Sequence, residues 1–163
     1  MRLRSYCSGP ALVLLLQAAL ATAPAQSFKG RQTASIVPPL AVKLEAGKTI
    51  KVPLQVRIRT GYHINSDKPA EQYLIPTRLT WTVPALKLKG VAYPEAETVN
   101  YAFSEQPLSV FSGTIAIESL FDVPANVPGS LTELTGQLRY QACNDKACLP
   151  PATLDVAVPV QRP

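Results

Sequence analysis

Histidine is almost missing from this sequence. Among 163 residues there is one, His63, together with one tryptophan and one methionine. Hydrolytic triads of the Ser-His-Asp kind have little to work with here, and no paired-carboxylate site or phosphate-binding loop stands out. Structural zinc asks for about four ligands, and His63 has only cysteines for company, so no metal and no other cofactor is expected. Dense basic runs are missing too. The formal charge is +5, but Lys43, Lys48, Arg57, Arg78, Lys87 and Arg139 are scattered. A nucleic-acid partner therefore has no support, and no small-molecule substrate is evident.

Long apolar runs are equally scarce. The one present, "ALVLLLQAALA", follows Arg2 and Arg4 and precedes the small-residue triplet Ala23-Pro24-Ala25. That order is the layout of a secretory signal peptide over residues 1–25, cleaved near Ala25, with an uncleaved N-terminal anchor as the alternative. No stretch of about 18 apolar residues follows downstream. Export changes the cysteine count. Of Cys7, Cys143 and Cys148, the first leaves with the signal, and the remaining pair is expected to form a disulfide in an oxidising compartment.

Helical periodicity is the last absence. Sixteen prolines and eight glycines punctuate the chain, and strand-like alternation dominates between them. In "KVPLQVRIR" Val52, Leu54, Val56 and Ile58 face one way and Lys51, Gln55, Arg57 and Arg59 the other. "LDVAVPV" repeats the pattern with Leu154, Val156, Val158 and Val160, and "GQLRYQA" with Leu138, Tyr140 and Ala142. Further strands are predicted near 39–45, 74–83, 86–92, 108–118 and 131–135. Roughly seven to nine short strands with Pro/Gly turns make an all-β chain, an antiparallel β-sandwich. Residues 26–37 read as a flexible lead-in and 38–163 as the sandwich domain.

The remaining cysteines lie in "YQACNDKACLPP", Tyr140 to Pro151. Asn144-Asp145-Lys146-Ala147 has turn composition, so Cys143 and Cys148 flank a four-residue hairpin loop. Cys143 shares the parity of Gln137, Arg139 and Gln141, which directs it away from the core, onto a face expected to be accessible. Cys148 has the parity of Leu154 and Val156, so a phase break is expected, most easily at Pro150-Pro151. Closing so small a ring contributes only about 2 kcal/mol. That is weak for a staple, though small structural rings exist, and C-x4-C is not the thioredoxin spacing. Lys146 favours a thiolate by charge and Asp145 opposes it. Gln141 shares a face with Cys143, and His63 has a pKa suited to relaying a thiol proton.

The cysteine segment, with "GYHINSDKPAEQYLIPT" and "FSEQPLSVFSG", resembles the N-terminal periplasmic domain of the DsbD thiol:disulfide interchange family. The resemblance covers roughly residues 36–160 and rests on the Y-Q-x-C…C-x-P-P segment. It implies an immunoglobulin-like sandwich, a periplasmic location and a Cys143–Cys148 redox pair. It also implies electron transfer from a DsbD-type transmembrane reductase to thioredoxin-like periplasmic proteins of the disulfide-isomerase or cytochrome c maturation type. The chain would then be a protein-disulfide reductase or electron-transfer domain, with Cys148 attacking the downstream partner. Aromatic residues after the matching Gly-Tyr line the family's site, which singles out Tyr62 and His63, while Asn65 stands where an aromatic is frequent. The family's aromatic cap motif, Phe-Tyr-Gly, is missing, which leaves Tyr101 or Phe103 as the shield. Full-length members continue into membrane and thioredoxin domains, whereas this sequence stops at Pro163, so its electron donor is expected in trans. The competing expectation is a non-catalytic immunoglobulin-like binding module with a structural hairpin disulfide.

Overall fold

Four long strands carry the alternation that builds the core, as a computed structural model of residues 32–161 shows. One sheet consists of β1 (Ala34–Ile36), β3 (Thr49–Ile58), β9 (Thr114–Asp122) and β6 (Lys87–Ala92), in that order. A second runs β2 (Val42–Lys43), β12 (Ala152–Gln161), β10 (Glu133–Tyr140), β5 (Arg78–Trp81). A third, smaller sheet is ordered β11 (Ala142–Cys143), β4 (His63–Asn65), β8 (Leu108–Phe111), β7 (Glu97–Val99). The described residues contain no helix, and so none long and apolar enough to cross a membrane.

The inward positions read from sequence are the core. Val52, Leu54 and Val56 of β3 are fully buried, and so are Leu134 and Leu138 of β10 and Val158 of β12. They pack in one cluster with Ile117 and Phe121 of β9. Trp81 closes its edge, with its ring edge-on to Phe121 at 5.5 Å and its Nε1 donating to Ser119 Oγ at 2.8 Å. Gly136 faces Trp81 across the β10–β5 pair. A Cβ there would lie 2.5 Å from the Thr80 carbonyl oxygen and 3.0 Å from the indole, so only glycine admits this approach.

An all-β, immunoglobulin-like sandwich is what forms, with some differences in detail. β2 runs parallel to β12, pairing Val42 with Val160, against the antiparallel expectation. The strand expected over 108–118 is two strands, parted at Gly113, whose φ of 67° belongs to the left-handed region glycine adopts readily. The stretches 131–135 and 136–142 merge instead into β10, followed by β11. Twelve strands form among the described residues, more than the seven to nine expected, because short pieces such as β4 and β7, three residues each, show no alternation. The lead-in over 26–37 also needs correction. Its end is ordered as β1, pairing Ala34 with Ile58, with Ala34 buried. The signal peptide expected over 1–25, with residues 26–31, lies outside the described residues.

Candidate functional site: a hairpin disulfide

The third sheet turns two unlike faces to its surroundings. Ile64, Phe111 and Ala142 belong to the main core. Their strand neighbours point the opposite way, so Cys143, paired with His63, and Asn65, paired with Val110, stand on the outer face. Parity had directed Cys143 away from the main core, and it lies outside that cluster. Accessibility is the error, since Cys143 is 0% exposed. Its outer face carries a second, small core of Leu74, Leu108 and Val110, with Val99 and Tyr101 packed against it.

Cys143 and Cys148 are directly bridged across the hairpin, Cα atoms 3.9 Å apart, and are joined by the disulfide. Asn144 shapes the loop, its Oδ1 accepting from the Lys146 and Ala147 amides at 2.9 Å each. The Asp145 and Lys146 side chains are left exposed. The phase break falls beyond the cysteines. Tyr140 pairs with Ala152 and Cys143 with Cys148, so Gln141 and Ala142 face the three residues Leu149 to Pro151. That extra residue is a bulge at the expected diproline.

Gln141 ties the surrounding segments together. Its Oε1 accepts from the Ile75 amide at 3.0 Å and from Asn65 Nδ2 at 3.1 Å, and its Nε2 donates to the Leu149 carbonyl at 3.2 Å. Asn65 Nδ2 also donates to the Ile75 carbonyl at 3.0 Å. Sequence reasoning placed Gln141 near the sulfurs but missed this network, since no local pattern announces bonds across 66 and 76 residues.

The aromatic expectations divide. His63 is 3% exposed, and its imidazole stacks on the Tyr101 ring at 4.2 Å between centroids. Tyr101 in turn lies 5.5 Å from the Phe103 ring. A turn in which the Ser104 amide donates to the Tyr101 carbonyl at 3.0 Å brings the last two together. Phe103, Tyr73, Leu74, Leu108, Gln141 and Cys148 line a cavity of about 210 Å³. Tyr73, which sequence reasoning did not single out, is 69% exposed at its rim. Tyr62 is drawn elsewhere. It packs on the main core under the Arg59 guanidinium, whose carbon sits 5.9 Å from the ring centroid.

Electrostatically the His63–Tyr101 stack is muted. Burial pushes the His63 pKa down from its ordinary value. Burial, then the nearby Glu97 carboxylate, pushes the Tyr101 hydroxyl up. Both rings are therefore neutral near pH 7. His63 Nε2 and Asn65 Oδ1 are buried with no hydrogen-bond partner among the described residues. No group of three or more potential metal ligands occurs among those residues either.

Fold and site together define an immunoglobulin-like β-sandwich domain whose Cys143–Cys148 disulfide closes a hairpin. The family model described as "Thiol:disulfide interchange protein DsbD, N-terminal" matches residues 33–159, and the chain belongs to that family. Among solved structures it is similar to the N-terminal periplasmic domain of ScsB from Proteus mirabilis, with a TM-score of 0.54 and 12% identity over 78% of this chain. It spans 44% of that ScsB chain. It is also similar to the Neisseria meningitidis DsbD N-terminal domain in the reduced form, with a TM-score of 0.45 and 22% identity, covering 76% of this chain and 84% of that one. No curated protein sequence matches.

Proposed function

We propose that this protein is an exported, periplasmic thiol–disulfide exchange protein. Its Cys143–Cys148 couple takes two electrons from a DsbD-type membrane reductase and gives them to thioredoxin-like periplasmic partners. The observation that carries this reading is the unequal access of the two sulfurs. Cys148 is half-buried and lines the open cavity, whereas Cys143 is fully buried. In the reduced protein a Cys148 thiolate attacks the partner's disulfide, forming a mixed disulfide and expelling one partner thiolate. Cys143 then attacks Cys148, closing the intramolecular disulfide and releasing the partner as a dithiol. A resolving thiol held opposite the attacking one makes this second step unimolecular. Phe103, beside Cys148 at the cavity, is the shield in this reading, and Tyr101 holds it over His63.

The test begins with the reduction potential, measured against glutathione or dithiothreitol buffers with thiol alkylation as the readout. A value of about −250 to −200 mV places the couple among exchange-active ones. Cys143→Ala is then expected to trap a mixed disulfide with a thioredoxin-like protein, and Cys148→Ala to trap about tenfold less, because the remaining sulfur is enclosed. A potential well below about −300 mV, with no exchange, assigns the disulfide to structure and the domain to binding.

A further inference from the structure

Two orphaned polar atoms lie on one face of β4, His63 Nε2 and Asn65 Oδ1, and they stand in different rows of the sheet. Asn65 lies in the row of Gln141 and is already tied to it through Nδ2. His63 is the direct cross-strand partner of Cys143, and side chains so paired start from Cβ atoms about 4.5–5.5 Å apart. Both residues are enclosed, at 3% and 0% exposure, so neither can turn to bulk water for a partner.

A disulfide sulfur carries no proton and is a poor acceptor. While the Cys143–Cys148 bond is closed, the enclosed imidazole nitrogen has nothing to bond there. Reduction changes the inventory. Two electrons and two protons pass from a donor dithiol, the Cys143–Cys148 bond breaks, and the donor's own sulfur–sulfur bond forms. Cys143 then offers a thiol proton or, deprotonated, a thiolate acceptor. A neutral imidazole answers either, accepting through a bare Nε2 or donating through Nε2–H, according to its tautomer.

We propose that His63 Nε2 is a hydrogen-bond partner kept for the reduced state of Cys143, so that His63 sets the redox equilibrium of the couple in favour of the dithiol. The proposal rests on the exchange reading above for its meaning, but not for its measurement. A buried polar atom left unpaired in one state and bonded in the other biases the equilibrium toward the second. His63 is a positioning residue here, and Tyr101, stacked on its ring, holds it in place.

The experiment compares the purified chain with His63→Phe and His63→Gln, each equilibrated in dithiothreitol redox buffers and scored by alkylation. Phe keeps a ring under Tyr101 and deletes the nitrogen, whereas Gln restores a polar atom without the ring. His63→Phe is expected to shift the equilibrium about tenfold toward the disulfide, ~30 mV for this two-electron couple. His63→Gln is expected to stay within about twofold of the original chain. Equal constants in all three, or equal shifts in both variants, overturn the proposal. Should a variant not fold, the original chain decides alone: the His63 Nε2 nitrogen resonance must move between the oxidised and reduced forms, and an unmoved resonance overturns the idea. A strongly reducing couple that fails to exchange removes the relay reading. It leaves this comparison intact, because the comparison is a difference between variants in one buffer series.

Discussion

Enclosure of His63 between Cys143 and Tyr101 makes its charged form the costly one in the folded chain, which is why its pKa falls below the ordinary 6.5. In the unfolded chain the imidazole titrates near that ordinary value. On acidification through about pH 6.5 the unfolded state therefore binds its proton first, and folding stability drops as pH falls. Above that pH neither state is charged and the full stability is present. The loss levels off only below the lowered folded pKa. No other histidine exists in the chain to confuse the result, and the raised Tyr101 hydroxyl stays neutral throughout. Urea midpoints are expected to be lower at about pH 5 than at about pH 7.5, and His63→Phe should flatten the difference. A slope unchanged in that variant would assign the acid sensitivity to the carboxylates. Tyr62 shows how little one residue's identity reveals alone. It sits beside His63 in sequence, yet it precedes β4, packs on the main core and lies under Arg59.

Strands differ in how plainly the sequence announces them. β3, β9, β10 and β12 were legible because each has one face on the core and one on solvent, which writes a period of two into the residues. β4 was not, since His63, Ile64 and Asn65 are all buried and leave no alternation to read. The same cause hid the enclosure of Cys143. Parity directs a side chain to a face but does not report a distant segment lying over it, here the turn carrying Tyr101 and the loop carrying Leu74. The cysteine pair, its hairpin and the diproline bulge were all readable locally, whereas the Gln141 network required the fold. That network makes a prediction for the element it pins. Gln141→Leu leaves the Ile75 amide and the Leu149 carbonyl without their partners, which costs about 2–3 kcal/mol. Hydrogen exchange should speed up at Ile75, while amides of β3 such as Val56 change only with global stability. Unchanged exchange at Ile75 would mean that the loop is held by Leu74 packing alone.

At the scale of the described residues, 32–161, the disulfide and the main core are separate. The large cluster spans the two long sheets, while the disulfide lies on the outer face of the third, beside a small cluster centred on Leu74, Leu108 and Val110. The relay proposed above must survive both of its oxidation states, a demand this division meets. The two cysteines are five positions apart, so opening the ring returns little chain entropy to the unfolded state, about 2 kcal/mol on the loop-closure account. No inward residue of β3, β9, β10 or β12 depends on the bond for its packing partners. The reduced protein is therefore expected to remain fully folded, with a near-ultraviolet circular dichroism signal from Trp81 and Phe121 unchanged and a urea-derived stability lower by about 2 kcal/mol. A stability loss of about 5 kcal/mol or more, or loss of the Trp81 signal on reduction, would make the bond a staple for the entire sandwich. A domain that unfolds each time it hands over electrons could not cycle, and the exchange reading would fall with it.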